Sequence, residues 1–199
     1  MAKTAKKSLF AEILGSVTKY FLILVAAVIL LIALSGVRVI ASGNVAVILR
    51  FGRLVGDTYE EQVHGPGLLF AFPYIIDEVI TVPTGNVIEQ TVATHYTSGS
   101  MTTLRNNGYV ITADRNIAIV SASVKYVISD PVAYALNAAD ISKIIDASVS
   151  SAMVSKAAGM PVDELLTSGK DQFAHDVLSA AQSKLDRAGI GVTIGTIEL

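Results

Sequence analysis

Eighteen residues from Tyr20 to Val37, YFLILVAAVILLIALSGV, carry no charge, and 12 of them are Leu, Ile, Phe or Val. As a helix rising about 1.5 Å per residue, this run would cover roughly 27 Å, close to the ~30 Å hydrocarbon core of a bilayer. At about 0.3–0.6 kcal/mol per large apolar residue, insertion would be favoured by roughly 4–7 kcal/mol. The pattern predicts one transmembrane helix over 20–37. Lys19 and Tyr20 sit at its entrance, and Phe21, Leu22, Ile23, Leu24, Val25, Val28, Ile29, Leu30, Leu31, Ile32 and Leu34 form its apolar body. A buried core helix would need far more surrounding protein than this chain supplies. A cleaved signal peptide has a shorter apolar core, about 7–15 residues, and Ala33-Leu34-Ser35 is only a fair cleavage site.

Beyond Arg38 the periodicity changes. Asn44 to Phe51 (NVAVILRF) is β-branched and ends at Gly52, so it predicts a strand, followed by a polar loop through Glu61. His64-Gly65-Pro66-Gly67 predicts a turn, because Pro presets one dihedral and Gly supplies another. Val79 to Pro83 and Val87 to Tyr96 read as strands. Ile117 to Ser129 is the clearest strand: Ala118, Val120, Ala122, Val124, Tyr126 and Ile128 line one face, while Ser121, Ser123 and Lys125 centre the other. A period of two is what a half-buried antiparallel sheet requires.

Helical signals come next. Asp130-Pro131 pairs an N-cap with proline at the first helical position, and Asp140 caps a second helix striped by Ile141, Ile144, Ile145, Val149, Ala152 and Met153. Gly159 and Pro161 stop that helix. A third, about Lys170 to Ala188, places Phe173, Val177, Ala181 and Leu185 four apart and ends at Gly189. Val192 to Leu199 alternates like a strand. Strands, then helices, then a returning strand predict an α+β domain rather than a doubly wound sheet. The expected organisation is a basic segment 1–19, the membrane helix 20–37, a membrane-proximal β-rich part 38–111 and an α/β part 112–199.

Charge orients the chain. Before Tyr20 stand Lys3, Lys6, Lys7 and Lys19 against Glu12, a net of +3, whereas from Arg38 onward 11 basic face 16 acidic residues, a net of −5. The positive-inside rule leaves 1–19 in the cytoplasm and sends the main domain across. An acidic domain argues against nucleic acid, whose phosphates need a basic surface. With no cysteine, disulfides, thiol nucleophiles and thiolate metal sites are excluded.

The chain carries no recognisable catalytic constellation. His64, His95 and His175 stand at no metal-ligand spacing, and there is no H-E-x-x-H, G-x-S-x-G or P-loop. Gly189, Gly191 and Gly195 follow a helix and precede none, so they do not form a dinucleotide loop. The acid pairs Glu60-Glu61 and Asp163-Glu164 fit solvated or helix-start positions. No catalytic residue, cofactor site or metal site is expected, and the chain reads as a non-enzyme.

The apolar run Leu68 to Ile76 admits two readings. In one it is a buried core strand. In the other Leu68, Leu69, Phe70, Phe72 and Tyr74 form a segment that dips into the bilayer beside the helix, with the aromatics as interfacial anchors.

Several pieces in this order resemble the stomatin–prohibitin–flotillin–HflK (SPFH, or band 7) family. They are Arg50-Phe51-Gly52-Arg53, Pro66-Gly67-Leu68 leading to Pro73-Tyr74-Ile75-Ile76-Asp77-Glu78-Val79, and Ile111-Thr112-Ala113-Asp114. Val124-Lys125-Tyr126, Ser129-Asp130-Pro131, Asp163-Glu164-Leu165-Leu166-Thr167 and Gly191 to Leu199 complete the series. The resemblance covers nearly everything from Arg38 onward, and the N-terminal anchor with an exported domain looks most like the HflK branch. It implies a mostly antiparallel sheet followed by packed helices and a returning strand. It also implies a bacterial inner-membrane scaffold that self-associates into a ring or cage, with an HflC-like partner, and modulates an FtsH-like membrane protease. His64-Gly65 replaces the acid that often precedes the Pro-Gly turn, and Ser121, Ser123 and Val127 replace charged or amide residues. Relatives usually continue into a long coiled-coil helix, which would begin where this sequence stops, at Leu199. The alternative function is a monomeric, membrane-tethered binding module; an anchored hydrolase would need a triad built on one of the histidines.

Overall fold

The computed structural model describes residues 15, 17–29, 31–32, 35–73, 76–93, 109–137 and 140–199. Helix α1 comprises the described helical residues 15, 17–29 and 31–32. It stops at Ser35, whose amide donates to the carbonyls of Leu31 (3.1 Å) and Ile32 (3.2 Å) and whose hydroxyl donates to Ile32 O at 2.7 Å. Ser35 and Gly36 then turn the chain into strand β1 (Val37–Ile40). The apolar run read as one helix through Val37 is therefore divided. The Ser-Gly pair breaks the helix, and the V-R-V-I alternation after it suits a strand. Among the described residues no helix is long and apolar enough to cross a membrane. Leu30, Ala33 and Leu34 of the expected span lie outside the described residues.

The first half of the domain is built around β2 (Asn44–Arg50). One side of β2 pairs antiparallel with β6 (Asp77–Pro83), from Asn44↔Pro83 to Arg50↔Asp77. The other side is shared by β3 (Arg53–Leu54) and β4 (Val63–His64). Between these short strands, the stretch expected as a polar loop contains the one-turn helix α2 (Tyr59–Gln62); four residues are too few to leave a helical period in the sequence. Strand β1 pairs with β5 (Gly67–Phe70) as a separate antiparallel ribbon. Ala46 and Ile48 of β2 meet Ile40 and Leu69 of the ribbon in a small core.

The second half is a three-stranded antiparallel sheet with β10 (Ser121–Ile128) at its centre, β7 (Ile88–Ala93) on one side and β11 (Val192–Glu198) on the other. Ala122, Val124, Tyr126 and Ile128 are buried as the period-two pattern predicts. The expected strand from Ile117 is interrupted: β9 (Ile117–Ala118) pairs with β8 (Val110–Ile111), and Ile119–Val120 carries the chain from that ladder into the central one. Residues 94–96 of the expected 87–96 strand lie outside the described residues.

Helices α4 (Ile141–Ala157) and α6 (Lys170–Ala188) pack against each other, α4 also meets β7, and α6 also meets β11. Their stripes interlock. Ile141, Ile145, Val149, Ala152 and Met153 meet Phe173, Val177, Ala181 and Leu185 in one buried cluster with the sheet. The caps match the pattern: Asp130 Oδ1 accepts from the amides of Val132 (2.9 Å) and Ala133 (3.1 Å), and Asp140 Oδ1 accepts from Lys143 N at 3.2 Å. The helix opened by Asp130, α3 (Pro131–Asn137), lies against β2 and β6 and so bridges the two halves. Gly191, at φ +66, lets the start of β11 approach Asp130 so closely that a Cβ there would collide with the Asp130 carbonyl. The short helix α5 (Val162–Leu166) leads into α6.

Phe173 is the largest fully buried side chain. Phe173→Ala is expected to cost about 3–5 kcal/mol in urea unfolding. A loss below about 1 kcal/mol would mean that the α4–α6 core is not where the fold draws its stability.

Candidate membrane-facing surface

Helix α1 presents apolar side chains in every direction. Tyr20, Phe21, Leu22, Ile23, Leu24, Val28, Ile29, Leu31 and Ile32 are all exposed, as is Lys19, and only Val25 is half-buried. A helix apolar all round needs an apolar environment, and the described part of the chain does not enclose it. Leu30 and Leu34 lie outside the described residues.

Directly after the helix, the β1–β5 ribbon continues that exposure. Partners across an antiparallel ladder share a face, so the register Val37↔Phe70 and Val39↔Leu68 puts these four on one side. All four are exposed, Val39, Leu68 and Phe70 at 78%, 70% and 77%. The other face carries Leu69 and Ile40 into the small core. The two readings of Leu68 to Ile76 thus divide by residue: Leu69 is core, whereas Leu68, Phe70 and Phe72 point outward. Tyr74 lies outside the described residues. The segment is not one continuous strand, since β5 ends at Phe70.

Asp77 fixes the chain on the far side of β5. Its side chain is fully buried and receives Arg50 Nε at 2.8 Å and Arg50 Nη2 at 3.1 Å, while its Oδ2 also accepts from Phe72 N at 2.9 Å. The Arg50 guanidinium in turn lies 4.7 Å from the centroid of the Phe72 ring. Hydrogen bonding from Arg50 holds the Asp77 carboxyl below the ordinary carboxylate range, against the opposing effect of burial.

Past Arg50 the chain reverses in a two-residue turn, Phe51-Gly52, with both residues at positive φ (+50° and +76°). This is the sense of a type I′ hairpin turn, where Asn or Asp is the usual first residue. A phenylalanine in the left-handed region costs about 1–3 kcal/mol, and such strain collects at functional positions. Phe51 is 76% exposed, so no packing of its ring within the fold offsets that cost. This feature is not among those expected from the sequence. Its signal was the R-F-G-R spacing, a two-residue turn with an aromatic where a small polar residue belongs. Nor does the sequence predict Val37 and Val39 as strand residues of the surface.

The chemistry-bearing residues do not converge. His64 lies in β4 with its Nε2 buried, His175 is exposed on α6, and His95 is outside the described residues. Among the described residues no three His, Asp or Glu are grouped to hold a metal ion. Asp114 organises the β8–β9 turn, accepting from Thr112 Oγ1 (2.6 Å), Asn116 Nδ2 (2.7 Å) and Val162 N (3.2 Å). A cavity of about 210 Å³ opens among Ala118, Leu165, Leu166, Phe173 and Leu199.

The SPFH domain / Band 7 family matches residues 38–199, all of the chain beyond the expected membrane helix. The chain is also similar to Protein HflK of Vibrio cholerae serotype O1 (strain ATCC 39315 / El Tor Inaba N16961), with 26% identity over 160 residues. That match covers 80% of this chain and 35% of the relative, so the chain spans about a third of that protein's length.

Because the folded state lowers the Asp77 pKa, the stabilisation it contributes is present above the unfolded value of about 3.9 and is lost as pH falls through the folded value. Asp77→Asn is therefore expected to lower the melting temperature at pH 7 and to flatten the acid limb below about pH 4. Identical acid limbs for the two proteins, measured by thermal melts from about pH 2 to 7, would rule out this linkage.

Proposed function

The chain belongs to the SPFH domain / Band 7 family, and on that premise we propose that it is a membrane-anchored, non-enzymatic scaffold that self-associates laterally and organises a membrane patch. The observation that carries this reading is the exposed apolar surface on both α1 and the strand ribbon that follows it, where Val37, Val39, Leu68 and Phe70 share the outward face. In this reading Lys19 and Tyr20 mark the entrance to the bilayer, and Phe21, Leu22, Ile23, Leu24, Val25, Val28, Ile29, Leu30, Leu31, Ile32 and Leu34 lie within it. Leu68, Phe70, Phe72 and Tyr74 rest in the interface on the far side. Segment 1–19 is cytoplasmic, and the domain, as parts 38–111 and 112–199, lies across a bacterial inner membrane.

Similarity to an HflK protein supports the finer proposal of a ring or cage, homomeric or with an HflC-like partner, that encloses and modulates an FtsH-like protease. A scaffold acts through surfaces and asks no chemistry of its side chains. The second reading, a monomeric tethered binding module, takes its support from the apolar cavity beside Phe173 and Leu199.

Three outcomes are expected. The full-length gene product, extracted in mild detergent, sediments as a large oligomer, and a monodisperse monomer would leave only the binding-module reading. The chain resists extraction from membranes by alkaline carbonate, and a tryptophan replacing Phe70 is quenched by brominated lipid. Release into the carbonate supernatant would remove the anchor and the scaffold with it.

A further inference from the structure

The β2–β3 hairpin tip has no part in the anchor or in the ribbon. A ladder of short contacts nevertheless ties it to the end of α1. Ala71 N donates to Gly36 O at 2.9 Å, next to the helix stop. Phe72 N donates to Asp77, Asp77 pairs with Arg50, and Phe51 N donates to Ile76 O at 2.9 Å. The tip is therefore held close to the point where the chain leaves α1. If α1 is in the bilayer, the tip is at its surface.

Two properties of the tip go beyond position. Phe51 is both strained and exposed, a combination that the fold itself does not use. Arg53, the cross-strand partner of Arg50, is exposed too. Arg50 is neutralised by Asp77, whereas Arg53 has no ion pair or side-chain hydrogen bond among the described residues. The exposed Glu78 pairs across the ladder with Leu49, one position further from the tip.

We propose that this hairpin is a lipid headgroup-binding element, in which Phe51 enters the interface and Arg53 takes the phosphate of an anionic lipid. An aromatic ring with an adjacent unpaired guanidinium matches the layered chemistry of that zone, apolar below and phosphate above. The occupant is a lipid surface because the segment tied to the tip, which leads back to the end of α1, exposes Phe72 and Phe70 as well. The inference rests on the membrane-facing reading of the ribbon and adds a lipid preference to it.

The chain contains no tryptophan, so single substitutions report locally. The full chain carrying Phe51→Trp is reconstituted in phosphatidylcholine/phosphatidylglycerol vesicles in which one lipid or the other is brominated. Most of the fluorescence of the introduced indole is expected to be lost, more strongly to brominated phosphatidylglycerol. Adding Arg53→Gln is expected to lower that preference about fivefold, the equivalent of one basic residue at an anionic surface. Phe51→Gly is expected to melt at or above the parent, since glycine accepts positive φ; a lower melting temperature would show that the ring packs within the fold and would overturn the proposal. Quenching of Phe70→Trp but not Phe51→Trp overturns the tip and spares the ribbon, whereas quenching of neither removes the membrane-facing reading itself. A Phe51→Trp signal that follows protein concentration instead of bromine assigns the tip to contact between copies and overturns the lipid site. An unchanged lipid preference in Arg53→Gln removes the phosphate site.

Discussion

The pairing of Arg50 with Asp77 is the constraint on which the first half of this domain depends. A carboxylate with no solvent access has to be compensated by charge and hydrogen bonds, and Asp77 is compensated twice by the guanidinium and once by the Phe72 amide. Those bonds join the last residue of β2 to the first of β6 and hold Phe72, two residues past β5. With that corner closed, Phe72 lies on the guanidinium, the hairpin turns at Phe51, and the ribbon is left with one face in the core and one outside.

The rest of the chain divides its apolar residues between two destinations. In the second half, the stripes of α4 and α6 and the inner face of β10 close on one another, leaving Phe173, Val177 and Ala181 without solvent access. In the first half the enclosed cluster is small, and large apolar side chains remain outside it on α1, the ribbon and the hairpin. In a chain that is 52% hydrophobic, an exposed apolar group of this size marks an interaction surface. The cost of that exposure is what motivates the proposal of a bilayer as the complement of this surface.

How much of the fold and the surface was legible depends on the length of each pattern. The period-four stripe of α6 and the alternation of β10 extend over many residues, and both bury the residues they predict. The Asp130 and Asp140 caps are local motifs whose geometry involves neighbours two or three positions away, so they too were readable. Strand β1 was absorbed into the preceding apolar run, because Val and Ile suit a membrane helix and a strand alike and only the Ser35-Gly36 stop separates them. The one-turn helix α2 and the two-residue strands fall below the length at which any periodicity exists. The break at Ile119–Val120 leaves the alternation intact and only changes the strand's partners.

From the order of its residues alone, this protein's longer elements, the α+β class and the kinship with SPFH proteins were determined, because periodicity, capping and turn chemistry are set by near neighbours. Which side of the ribbon carries Leu69 and which carries Leu68 and Phe70, that Asp77 and Arg50 meet across 27 residues, and that an aromatic is held at the tip of a strained turn were decided only in three dimensions. These depend on register and burial, and both are properties of distant segments closing on one another.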